Sequence, residues 1–218
     1  MSTLDDGAYL RGWTIQPWEI WERVEAGESL YVDWGYSANL HLSYDWLREQ
    51  LCRRVPGYSG RYPWWAYTTR PDLRRMRHLR PHATRCVLLE LSLPRRTTVV
   101  FPSWAWDLIF YHELVSTVRG ETEEWRRRME RELSEDPPSP LPEPWRSELY
   151  ASWERIFEPS FPRAGWRRHT SFSEEEAVFE RLDRSVVVRA TSFVGAAPNR
   201  KPRGADLETH FGPTCIHR

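Results

Sequence analysis

The sequence predicts an α+β domain: one compact unit with small mixed or antiparallel sheets flanked by amphipathic helices. Three observations carry this. Short β-rich runs alternate with helical stripes from Gly12 to Phe193. A proline-bounded aromatic run, Pro63 to Thr69, reads as a strand with large rings on both faces. The chain of 218 residues is long enough for one sizeable core.

In chain order, residues 1–10 are expected to be loose and 11–194 to form the domain. Gly12 to Gln16 is a short strand candidate. Pro17 then suits the first turn of a helix, in which Trp18, Trp21 and Val24 recur at helical spacing and Gly27 fits the position just past the end. Leu30 to Trp34 reads as a second strand. Leu40, Tyr44, Leu47 and Leu51 form a stripe at spacings of four, three and four, the mark of an amphipathic helix ending before Pro56-Gly57. The aromatic strand follows. Alternation puts Trp64, Ala66 and Thr68 on one face and Trp65, Tyr67 and Thr69 on the other. One face must serve the core, and the other needs a helix, a partner or a flat ligand to cover it.

Asp72 to Leu79 carries Arg74, Arg75, Arg77 and His78, a run that ordinarily forms a solvated face. Arg85 to Leu93 is the clearest buried strand, and Thr97 to Phe101 makes another. Ser103 is placed as the N-cap of a helix over Trp104–Val118. Glu121 to Leu133 reads as a charged, exposed helix. Residues 136–144 hold five prolines in nine positions and form a stiff surface connector. Trp145 to Phe157 is a helix with Leu149, Trp153 and Ile156 inward. Strands near Glu176–Leu182 and Ser185–Phe193 complete the fold, and 195–218 is read as a weakly ordered tail.

Composition bounds function. Formal net charge is +0, so no global basic field recruits nucleic acid. Lys201 is the sole lysine, and arginine favours bidentate pairs and stacking. Thirteen tryptophans imply a core of large plates, an aromatic site, or both. No run approaches a membrane span, and the first residues lack a signal pattern. Cys52, Cys86 and Cys215 are odd in number and widely spaced, which argues against a disulfide framework and for the cytoplasm. No glycine-rich phosphate loop, G-x-S-x-G, H-E-x-x-H or C-x-x-C occurs. His78, His82 and Cys86 are spaced by four, but Pro81 breaks the helix that would align them, and no metal is expected. Oligomeric state is open.

W-T-I-Q at 13–16, S-Y-D-W-L at 43–47, Y-P-W-W at 62–65, R-P-D-L at 70–73 and S-W-E-R-I-F at 152–157 together resemble a bacterial family of unknown function. More distantly, the order of first strand, helix, glycine, aromatic strand and late strand introduced by acidic residues resembles the ADP-ribosyltransferase-like fold. That resemblance implies an enzyme that binds NAD, or a related nucleotide, as substrate and cleaves its nicotinamide–ribose bond, in a toxin or defence setting. In that fold a first-strand residue holds the adenosine ribose, here Thr14 or Gln16. An aromatic strand stacks on nicotinamide, here through Trp65 or Tyr67. A late strand opens with the carboxylate that binds a ribose hydroxyl, here Glu176, with Glu174 and Glu175 beside it. Arg61 or Arg70 would take the pyrophosphate. The alternative is a non-catalytic module whose aromatic, arginine-rimmed cleft holds single-stranded nucleic acid or a peptide.

Overall fold

A computed structural model describes residues 7–32, 41–76, 83–133, 141–162 and 174–196. The described β-strands form one six-stranded sheet, antiparallel at every pairing, in the order β4-β5-β2-β1-β3-β6. Of the expected small mixed or antiparallel sheets, the antiparallel alternative holds, in one larger sheet. The strands are β1 (Tyr9–Pro17), β2 (Trp64–Tyr67), β3 (Arg85–Pro94), β4 (Thr98–Pro102), β5 (Glu175–Phe179) and β6 (Val187–Val194). The sheet therefore takes in Tyr9 and Leu10, which were expected to be loose.

β1 and β3 make the longest ladder, from Tyr9↔Pro94 to Pro17↔Cys86. β3 is buried on both faces through Val87, Leu88, Leu89, Leu91 and Leu93, as a near-continuous apolar run demands. Gly12 sits where β1 meets its neighbours most closely. A Cβ there would stand 3.2 Å from the Ala66 Cβ and 3.3 Å from the Leu93 Cδ1, so a larger residue would push the strands apart.

One face of the sheet is covered by α1 (Trp18–Glu25), which buries Trp21 and Val24 against Trp64, Ala66, Leu89, Leu91, Ala177 and Phe179. Gly27, at φ +92°, ends this helix with its N–H on the Val24 carbonyl, the left-handed stop its position implied. The expected strand at 30–34 is reduced to single bridges, Leu30↔Leu182 and Val32↔Tyr62, and 33–34 lie outside the described residues.

The other face carries the larger core. There α2 (His41–Arg54) contributes Tyr44, Leu47 and Leu51, the expected stripe without Leu40, which lies outside the described residues. α4 (Ser103–Phe110), α5 (Glu121–Glu132) and α6 (Trp145–Glu154) pack beside it, while a single turn, α3 (Leu73–Met76), follows β2. α4 is apolar nearly all round and is buried accordingly. It is half the expected length. His112 takes a left-handed φ of 57°, its N–H bonding Ile109 O at 3.0 Å and the Glu113 N–H bonding Leu108 O at 2.7 Å. That pattern closes a helix as a glycine would, without the glycine that makes it readable. Ser103 is the first helical residue and makes no capping bond; Pro102 precedes it. α5 is charged as expected but buries Thr122, Trp125 and Met129. Residues 136–140 of the proline-rich connector and the tail from 197 lie outside the described residues, as do His78 and His82.

Candidate functional site

Residues that pair directly across antiparallel strands project to the same face. Tyr67 pairs with Glu176 on one side and with Trp13 on the other. Glu176 pairs in turn with Phe101, and Trp13 with Glu90. One row on the helix-rich face therefore reads Phe101, Glu176, Tyr67, Trp13, Glu90. Adjacent members have Cα atoms about 4.5–5.5 Å apart, so Glu176 and Trp13 stand about 10 Å apart with Tyr67 between them. Segments more than a hundred residues apart in the chain, one acidic and one aromatic, meet side by side.

Glu176 is buried, and burial pushes its carboxyl up to about 7 from the ordinary 4.5. No hydrogen bond or ion pair to that carboxyl is found among the described residues. Tyr44 reaches the same region from α2: burial first, and the Glu176 charge second, push its hydroxyl well above the usual tyrosine range. At the far end of the row, Glu90 is held loosely by Arg11 at 3.4 Å and Arg189 at 3.8 Å.

The other expected site residues divide. Tyr67 keeps partial exposure beside Glu176. Trp65 lies on the same face but inside the core. Its ring centre is 4.8 Å from Trp106, 5.7 Å from Phe101 and 5.9 Å from Tyr44, so the protein's own rings fill the surface a ligand would need. Of the two aromatic candidates, Tyr67 is partly exposed and Trp65 is buried.

Thr14 and Gln16 are not part of this row. They alternate with Trp13 and Ile15 along β1, and Thr14 pairs with Leu89, so both point to the α1 face. There they are buried and bonded to each other, Gln16 Nε2 donating to Thr14 Oγ1 at 2.7 Å. Their role is to satisfy polar atoms inside the sheet. Replacing Thr14 with Val is expected to lower stability by about 1–3 kcal/mol, because the amide loses a buried acceptor. Urea unfolding measures the loss, and any activity per folded molecule should be unchanged.

Arg61 and Arg70 flank opposite ends of β2. Arg61 lies at the end away from Glu176, its guanidinium 4.6 Å from the Tyr31 ring centre. Arg70 is exposed at the Tyr67 end. They cannot clamp one pyrophosphate together.

Two residues escaped the sequence reading. Trp13 was quoted in a motif, yet its place in the row depends on the β1–β2 register. Its indole N–H is buried without an acceptor among the described residues. Tyr44 read as part of a core stripe, and only the packing of α2 brings it near Glu176. The single signal for Trp13 was its parity: it alternates with Thr14, so it had to face the other way.

No group of three or more His, Cys, Asp or Glu suited to hold a metal is found among the described residues. No helix among them is long and apolar enough to cross a membrane.

Fold and site together define a single α+β domain with a buried carboxylate beside an aromatic row. The chain belongs to a family described as a domain of unknown function (DUF3841), whose model matches residues 11–179. No curated protein and no solved structure matches it.

Proposed function

We propose that this chain is an ADP-ribosyltransferase-like enzyme that takes NAD, or a related nucleotide, as substrate and breaks its nicotinamide–ribose bond. The observation that carries the reading is Glu176, a buried carboxylate with no hydrogen-bond or ion-pair partner among the described residues, directly across from Tyr67. A buried acid of this kind is unfavourable for folding and is a candidate for work on a ligand. The three strands that the resemblance assigns to the site, β1, β2 and β5, are also consecutive neighbours in the sheet.

The chemistry follows from the row. When the C–N bond breaks, its electron pair leaves with nicotinamide and positive charge grows on the ribose. The Glu176 carboxylate accepts a hydrogen bond from a ribose hydroxyl, and that bond strengthens as the charge develops. Tyr67 lies flat against the departing ring and keeps the bond aligned with Glu176. Water, or a nucleophile on an acceptor molecule, then bonds to the ribose carbon.

The test is incubation of the purified chain with NAD and measurement of nicotinamide and ADP-ribose. Release that is lost in Glu176→Gln supports the reading. Failure of the wild-type chain either to bind or to cleave NAD overturns it. For Tyr67→Ala, KM is expected to rise about 10- to 100-fold, from the ~1–3 kcal/mol that an aromatic–base stack supplies. Tyr67→Phe should keep most of the affinity, since the ring remains.

A further inference from the structure

Past the end of α4, the turn at His112 and one face of α5 enclose an open cavity of about 200 Å³. α5 lines it with Trp125, Arg126, Met129 and Glu130, which share a face at helical spacing. The left-handed turn contributes Tyr111 and Glu113. Tyr111 is half-exposed, while Trp125 is buried and braced edge-on by Trp145 at 5.7 Å. Glu113 is held by Arg126, so those two charges offset each other. Glu130 is half-buried, and its carboxylate has no ion pair or hydrogen bond among the described residues. Burial holds His112 below the usual histidine range, so it adds no charge at neutral pH. The cavity therefore carries one uncompensated negative charge beside aromatic walls.

We infer that this cavity binds an organic cation, a guanidinium or ammonium group on an alkyl stem. A carboxylate in a partly desolvated cleft attracts a cation more strongly than one in open water. Tyr111 and Trp125 add the negative faces of their rings, and Met129 gives the stem an apolar wall. The cavity also lies at the C-terminal end of α4, where the helix presents partial negative charge. α5 already holds one of the chain's own cations in this way: Arg128 stands 4.8 Å from the Trp145 ring centre and donates to Glu148. An anion would meet Glu130, and it could take Arg126 only by breaking the pair with Glu113. The volume is below the roughly 300 Å³ at which drug-sized pockets begin, so it suits one basic side chain or a small amine and not a whole nucleotide. The cavity is also separate from the Glu176 row. α4 begins with the Ser103 N–H on the Glu174 carbonyl, and its length of ~12 Å lies between the two.

Titration of the nitrogen-labelled chain with ethylguanidinium, followed by NMR through the tryptophan indole N–H signals, tests the site. Saturable shifts are expected, with Kd on the order of 1 mM, the scale for one charged contact and one ring. Glu130→Gln should weaken binding about tenfold, as loss of a hydrogen bond to a charged group does. Tyr111→Ala should weaken it about threefold, the worth of one exposed cation–ring contact. Glu132→Gln, an exposed carboxylate on the same helix, should change nothing. No saturable shift by about 10 mM ethylguanidinium overturns the inference, as does equal affinity in Glu130→Gln or equal binding of acetate. A blocked tripeptide with arginine at its centre, titrated in parallel, separates the two sources of such a cation. Tighter binding of the tripeptide than of ethylguanidinium assigns the site to a basic side chain of a protein, and weaker binding assigns it to a small amine or guanidine.

Discussion

At pH 8 the Glu176→Gln variant should unfold later than the wild-type chain, and it should release nicotinamide from NAD ~10²–10³-fold more slowly, the usual effect of removing one transition-state stabiliser. Both outcomes follow from one buried acid. Its folded pKa of about 7 stands above the unfolded 4.5, so the native state holds the proton more tightly than the unfolded chain. Stability from this group is intact below pH 4.5 and falls as pH rises from 4.5 to 7. Above 7 the loss is complete, at about 3 kcal/mol. Glutamine mimics the protonated acid and escapes that loss. The variant's advantage should therefore be about 3 kcal/mol at pH 8 and should vanish near pH 4, which denaturant melts at the two pH values will show. Catalysis needs the ionised form, so kcat/KM should rise about tenfold per pH unit below 7 and level off above it. A variant that gained stability but kept full turnover would leave Glu176 a misfit of the core and nothing more.

The second large effect belongs to Trp65. Its replacement by Ala should destabilise the domain by about 3–5 kcal/mol, the range for deleting a large ring from a packed core. Three aromatic neighbours, Tyr44, Phe101 and Trp106, lose their contact at once, and they come from α2, β4 and α4. The loss should appear as a lower denaturation midpoint with little change in slope. If Trp65→Ala kept its stability but lost NAD binding, the ring would be a ligand plate after all.

Much of the scaffold could be read from local pattern. β3 announces itself by apolar residues that leave no polar face, and α2 by its Tyr44, Leu47, Leu51 stripe. The two-faced character of β2 was also visible, because alternation alone separates Trp64 from Trp65. What local pattern lacks is register. Whether Thr14 or Trp13 stands beside Tyr67 depends on how β1 meets β2, and a one-residue difference moves every side chain to the opposite face. The same gap hid the difference between Trp65 and Tyr67. Both are aromatic and on one face, but only the placement of α2 and α4 fills the space over the first. The overlong helix after Ser103 has another cause: Tyr111 and Val115 continue the apolar spacing, and only the backbone shows His112 turning left-handed. Arg61 and Arg70 bracket one short run, and an extended strand carries its two ends far apart, so they can serve the site only as alternatives.

The position of β5 has a consequence for how the chain comes together. β4 and β2 are not bonded to each other; each pairs with β5, which arrives more than seventy residues after β4 begins. During synthesis the ring-bearing strand and the Phe101 strand must wait with open edges until residues 175–179 emerge and close the gap. Such distant pairings are slow to form and leave sticky intermediates exposed to aggregation. The strand that brings the acid is thus also the keystone of half the sheet, so a chain cut before it can present neither a finished fold nor Glu176 beside Tyr67.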